Sequence, residues 1–372
     1  MKFLLKHHFD PDFDHLNIKP KVRGNEPVDH LNRDYVQNVV RGQVLAELVE
    51  ATDLEAQNFD PRYILDQSVF PMGANTATDP QNPKLLMATA NGYVFYAPDG
   101  KISVKTLLNV RRDVDYTTGN ISFVGDVVVH GSVRSGFTVR ARNILVKGPV
   151  EAATLEASQA IQVQAGVKGD NRAVLKAAGS IKVKFCENAT LSAGKNLLVE
   201  GSCLHCKLFV GNALAVRNKL IGGEAVCRRV AHIGAQLGGG MNTITTLTLG
   251  YDPFLMQKIT ELENTIKTLK SRRNNLDVQQ HQNTDPHQTE ALLMRELDHK
   301  LSVLEKQRFA WTEQIASVDL ASCAVIVPGE IRPGVDVSIG QVYLAISDYV
   351  YNVRLTLSEE QIEMTSPAEP KN

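Results

Sequence analysis

Between about residues 120 and 250, apolar residues come in pairs of the form apolar-x-apolar, set apart by Gly, Ala and Asn. The pairs are Val127/Val129, Ile144/Val146, Ile161/Val163, Ile181/Val183, Leu197/Val199 and Leu214/Val216. Their first members are spaced by 17, 17, 20, 16 and 17 residues, and the one long step contains Gly169-Asp170-Asn171-Arg172, a turn-type insertion. A second column keeps the period through Val139, Leu155, Leu175, Leu191 and Leu208, with Ala141, Ala157, Ala177, Ala193 and Val210 two residues further on. A third runs through Val133, Val150, Val167, Cys203 and Leu220 and is interrupted at Glu187. Alternation is the strand period, and each run is too short for a helix. Such short strands cannot bury their inward side chains alone, but stacked coils can, each adding roughly 4.8 Å along the stack. The pattern therefore predicts a mainly β fold, a parallel β-helix over residues 113–253, with the right-handedness usual for parallel crossovers. A β-sandwich with irregular strands is the competing architecture.

After Asp252-Pro253 the period changes to that of a coiled coil. Ile259, Leu262, Ile266, Leu269 and Leu276 mark one arm, and Leu297, Leu301, Leu304, Trp311 and Ile315 the other. Between them, Asn283, Asp285 and Pro286 can reverse the chain. An antiparallel α-helical coiled-coil hairpin is predicted over 254–317, with Arg273 and Arg308 at core positions. Those two and Trp311 mark the hairpin as a candidate partner-binding arm, against a hairpin that merely packs along the β-helix. Residues 318–363 return to strand alternation with Pro-Gly turns, as a last coil, and 364–372 form a disordered tail. The open sheet edge at that end needs a cover or a partner, which makes it a candidate contact surface. Residues 1–112 are an N-terminal mixed or β cap domain. Its segments 34–50 and 91–104 each carry a Gly turn between apolar alternations, like halves of a barrel-sandwich hybrid. No lysine stands at a hairpin tip as in a lipoyl carrier.

The run NVRRDVDYTTGNISFVGDVVVHGSVRSGFTVRARNILVKGPVEAATLEA, with IGGEAVCRRVAHIGAQLGG and LTLGYDPF, resembles the bacterial flagellar assembly protein A family, β-helix proteins once described as predicted polymerases. The resemblance spans about residues 71–363. It implies an N-terminal domain, a right-handed β-helix, an inserted coiled coil and a return to the β-helix. It also implies a part in flagellar assembly or motility, and it carries no catalytic residues over.

Composition removes several alternatives. With 12 Phe, 9 Tyr and 1 Trp in 372 residues, aromatics are too sparse for an aromatic-rich cleft. The N-terminus has no apolar run of signal-peptide length, no stretch is long enough to span a membrane, and five scattered cysteines suit a reduced, cytoplasmic protein. Peripheral membrane contact stays open. The net charge of −1 conceals a cancellation: residues 117–253 carry 15 Lys/Arg against 8 Asp/Glu, between flanks of net −3 and −5. Arg134, Arg140, Arg142, Lys147, Lys176, Lys182, Lys184 and Lys195 fall at outward positions, a candidate basic surface for an acidic protein, anionic lipid or polyanion. The competing reading is a solvated face balanced by the acidic ends of the same chain.

Asp113-Val114-Asp115 would place two carboxylates on one face of a strand, as metal-dependent nucleotidyl transfer requires, yet no second acidic motif accompanies it. A polar turn entering the first coil is the favoured reading. Cys203, His205 and Cys206, with Cys227 further on, offer soft ligands for a metal, but the second ligand pair is absent and Cys203 lies in an inward column. The expectation is a non-enzymatic scaffold without cofactor, acting through protein contacts or self-association through the coiled coil or the β-helix end, nucleic acid being disfavoured. A nucleotidyltransferase centred on Asp113 and Asp115 and a polyanion-binding β-helix are the alternatives.

Overall fold

The computed structural model describes residues 2–14, 31, 33, 35–52, 55, 57–282, 288–315 and 319–366, in two compact units, Met1–Ser192 and Ala193–Asn372. The reversal at Asn283, Asp285 and Pro286 and all but the first three residues of the 364–372 tail fall outside the described residues.

The first unit opens with two antiparallel sheets. Lys2–His7 pairs with Val44–Ala51 and Ile64–Leu65, and Leu85–Ala88 joins Val44–Ala51 to Thr76–Thr78. The second sheet holds Asn38–Val39, Gly92–Tyr96 and Ile102–Lys105. Leu5, Leu45, Leu48, Phe70, Leu86, Val94, Ile102 and Val104 form their common core. Burying those apolar faces is what holds such short strands together.

Parallel coils follow, and the spacing of the apolar pairs becomes their register. Val127 lies opposite Ile144, Ile144 opposite Ile161, and Ile161 opposite Ile181, all inward and nearly free of solvent contact. The insertion at 169–172 is a turn inside the strand Gly166–Ala177: Asp170 and Asn171 both take left-handed φ, 48° and 57°, which these two residue types tolerate best after glycine. Beyond it Leu155 pairs with Leu175, absorbing the long step. One column is read differently by the structure. The Val167 amide donates to Phe185 O, so the buried Cys186, and not Glu187, takes the next inward place, and the column is unbroken there.

In the second unit Leu197 faces Leu214, Leu214 faces Ala231, and Val216 faces Ile233, which extends the repeat. The chain leaves the coils after Thr245–Leu249, forms helices α1 (Pro253–Gln282) and α2 (Gln288–Ile315), and returns in Ala324–Ile331. That strand pairs in parallel with Val230–Ile233, and Val335–Ile339 pairs in parallel with Thr245–Leu249. The hairpin is thus an insertion between successive rungs. The rest of 318–363 is not coil: Val342–Ile346 and Val350–Ser358 run antiparallel onto those two strands, and Gln361–Thr365 closes a further hairpin. The chain covers this end of its own stack, which answers the open-edge problem internally. In all, the parallel β-solenoid has about eight turns.

Candidate functional site

The stack begins at Leu107–Val110, which pairs in parallel with Asp126–Val129, a few residues before the expected start at 113; just after that strand, Val114 is buried and bridges Val133, which turns its two acidic neighbours outward. Asp113 Oδ1 accepts the Ser132 amide at 2.8 Å, and Oδ2 accepts Arg134 Nε at 2.9 Å. Asp115 Oδ1 accepts the Thr117 amide at 2.7 Å and the Thr117 hydroxyl at 2.6 Å, while its carbonyl accepts the Gly119 amide, the geometry of a capped turn. Burial pushes the Asp115 carboxyl up, but the Thr117 hydroxyl and the amides of Thr117 and Thr118 outweigh it and hold the group below the usual carboxylate range. Gly131 permits the approach of Asp113, since a Cβ there would lie 2.2 Å from Asp113 Oδ1. Each carboxylate of the D-x-D thus has a local structural partner.

Arg134 continues from this junction as a clamp across coils, pairing with Asp113 at 2.7 Å on one side and Glu151 at 2.7 Å on the other. The same device recurs between Arg140 and Glu156 at 2.5 Å and between Arg142 and Asp126 at 2.7 Å, with Asn143 also donating to Asp126. Three of the eight outward cations are therefore matched by carboxylates one coil away, so the balancing acids lie in the coils themselves and not only in the flanking segments. The Asp126 and Glu151 carboxyls are held low by hydrogen bonds from Arg142 and Arg134. Lys147 Nζ donates to His130 Nδ1 at 3.2 Å. Lys176 stands opposite Glu156 and Lys182 opposite Gln162 in the ladder. Lys184 and Lys195 are exposed on their respective units.

The soft-ligand candidates divide. Cys203 and Cys206 are buried on one strand, where the ladder sets them opposite Leu220 and Gly223. His205 between them has φ 50° and is exposed, with its ring against Gly222. Cys227 is buried and its thiol donates to the carbonyls of Asn212 and Val230, at 3.3 and 3.2 Å. Burial pushes that thiol up to about 11, so it is protonated at neutral pH. His205 and Cys227 belong to no cluster of metal-ligating side chains among the described residues.

The helical hairpin begins where Asp252 Oδ1 accepts the amides of Phe254 and Leu255, with Pro253 at the first helical position. Leu262, Ile266 and Leu301 form its seam, with Leu269, Leu304 and Trp311 packed against them. Trp311 therefore serves the hairpin's own packing. Arg273 and Arg308 do not sit in the seam, as the heptad reading required. Arg273 Nε pairs with Asp298 Oδ1 at 2.5 Å, and Arg308 lies 4.0 Å from Glu263, both on the flanks where a charged head stays hydrated. A third flank pair joins Lys270 to Glu305 at 2.7 Å. What the heptad reading missed is the apolar surface left over: Leu292, Val303 and Phe309 of α2 are exposed. Leu292 and Val303, eleven residues and three turns apart, share one face. Among the described residues no helix is long and apolar enough to cross a membrane.

The stacked parallel rungs, direct register and inserted hairpin define a β-solenoid protein. Residues 106–362 match the flagellar assembly protein A β-solenoid domain family. The chain belongs to that family, whose name points to flagellar assembly. No curated protein and no solved structure matches the chain.

Proposed function

We propose that the protein is a non-catalytic, cytoplasmic scaffold that serves flagellar assembly or its regulation by holding a protein partner on the helical arm. The observation that carries this reading is the exposed pair Leu292 and Val303 on one face, with Phe309 exposed on another, of an arm whose own seam is already filled. An apolar side chain held in water on an inserted helix has no role in the packing of that helix, and a partner that covers it gains about 1.5 to 3 kcal/mol per large residue buried. The ties of Asp113 to Arg134 and of Asp115 to Thr117 support the non-catalytic half of the reading.

The test is complementation of a deletion strain with variants of the whole chain, scored by flagellar number and swimming. Leu292→Glu/Val303→Glu/Phe309→Glu keeps its helical and thermal signatures and loses complementation, while Asp115→Asn complements. Full complementation by the arm variant removes the scaffold-arm reading. Loss of function in a folded Asp115→Asn protein instead favours chemistry at Asp113 and Asp115.

A further inference from the structure

The first strand of the stack, Leu107–Val110, follows Ile102–Lys105 of the three-stranded sheet with Thr106 alone between them. A cleft of about 530 Å³ opens where the chain passes from one sheet to the other. Such a volume suits a small molecule. Asn75, Tyr93, Lys105, Leu107, Asn109 and Arg111 supply its character, and among the described residues no carboxylate lines it.

The two cations differ from those of the coil ladder. Among the described residues neither Lys105 nor Arg111 forms a salt bridge, although Arg134, Arg140 and Arg142 each do. Alternation explains their neighbours: Leu108 and Val110 are buried, so Leu107, Asn109 and Arg111 form one outward row. In the neighbouring rung Leu107 faces Asp126, but Arg142 and Asn143 already hold that carboxylate. Lys105 Nζ rests 4.5 Å from the centroid of the Phe95 ring, a contact that fixes the ammonium without neutralising it.

The two amides add one donor and one acceptor. A lysine ammonium only donates, so His130 Nδ1 accepts from Lys147 and its Nε2–H points at Asn109 Oδ1, 3.4 Å away. That leaves the Asn109 amide nitrogen to donate elsewhere. Asn75, in the left-handed region at φ 58°, donates its own amide nitrogen to Val104 O, which leaves its Oδ1 as an acceptor. Tyr93 and Leu107 supply half-open apolar surface beside the charged groups.

The geometry points to a binding site for a phosphorylated small molecule with a planar body, its phosphates on Lys105 and Arg111 and its ring against Tyr93 and Leu107. A guanidinium fork matches phosphate oxygens two at a time, which gives Arg111 the larger share of recognition. Neither Asp113 nor Asp115 lines the cleft, so the site is separate from the nucleotidyl-transfer alternative, and it does not depend on the arm.

Calorimetric titration of the whole chain at low salt, without divalent metal, with ATP, AMP and inorganic pyrophosphate as probes, tests the assignment. ATP binds saturably, and Lys105→Gln/Arg111→Gln weakens it by about tenfold or more. Arg111→Lys, which keeps the charge and loses the fork, gives an intermediate loss, and Arg112→Gln, outside the lining, changes little. The replaced side chains are exposed, so circular dichroism should be unchanged. Absence of saturable binding with all three probes overturns the assignment, as does equal affinity in the double variant. Pyrophosphate binding as tightly as ATP overturns it too, since the ring would then contribute nothing.

Discussion

Leu197 and Leu198 are chemically identical neighbours on one strand, yet the pleat assigns them opposite fates. Leu197 is 1% exposed and stands in the inward column opposite Leu214, while Leu198 is half-buried and opposite Ala215. Truncating Leu197 to alanine removes three buried carbons, about 2.4 kcal/mol at 0.8 kcal/mol each, before the cavity left behind is counted. Adjacent rungs fix the column's spacing, so the space cannot collapse, and the total is about 3 to 4 kcal/mol. Leu198→Ala removes the same atoms from a partly wetted surface and costs about 1 kcal/mol or less. With a urea slope of about 1 to 3 kcal/mol per molar, the difference of about 2 to 3 kcal/mol separates the two variants by about 0.7 to 3 M in unfolding midpoint. Because a stack can unfold rung by rung, amide exchange in 196–216 is followed in parallel and should show the same order. Equal losses, or a larger loss for Leu198→Ala, would refute the assigned register, since a one-residue slip exchanges the two faces.

The carboxylates of Asp126 and Glu151, held below their ordinary range by Arg142 and Arg134, add stability that is complete above the unfolded carboxylate range. It is lost as pH falls through the lowered folded values, so Asp126→Asn/Glu151→Gln should flatten the acid limb of a melting-temperature profile, and an unchanged slope removes the ladder's role. Asp252→Ala deletes the cap of α1 and should cost about 1 kcal/mol, read as a lower melting temperature with reduced helical ellipticity. The Cys227 thiol, pushed up to about 11 by burial, should resist a disulfide reagent at pH 8 and react once urea opens the stack; fast labelling of the folded chain at Cys227, located by peptide mapping, contradicts its burial.

The stack was legible because burial in a narrow interior imposes period two within a rung and a near-constant step between rungs, and both survive as plain sequence. The misplacement at Glu187 has a local cause. The turn at Asp170 and Asn171 lengthens the step to 20 residues for Ile161 to Ile181, and the same step from Val167 lands on Glu187, but this column advances by only 19, to the buried Cys186. Strand direction is also silent in alternation: Val350–Ser358 carries the same pattern as a parallel rung yet runs antiparallel. The heptads located the hairpin, but a repeat of seven does not separate a seam arginine from a flanking one. Asp298 and Glu263, each on the opposite helix, decide that for Arg273 and Arg308. Likewise the ladder of Arg134, Arg140 and Arg142 is visible only once residues 16 to 21 positions away become neighbours. Lys105 and Arg111 look unremarkable in sequence because the change of sheet between them has no apolar signature.

The insertion of α1 and α2 between successive rungs has a mechanical side. Chain leaves through Leu249 and re-enters at Ala324, strands that are laterally bonded along their length to neighbouring rungs. A pull on the arm directed along those strands would be resisted by many backbone hydrogen bonds loaded in shear at the same moment, not peeled one by one. The foundation of the arm is then far stiffer than the arm itself, and a tug from a bound partner would bend or unzip two exposed helices before it disturbed the coils beneath.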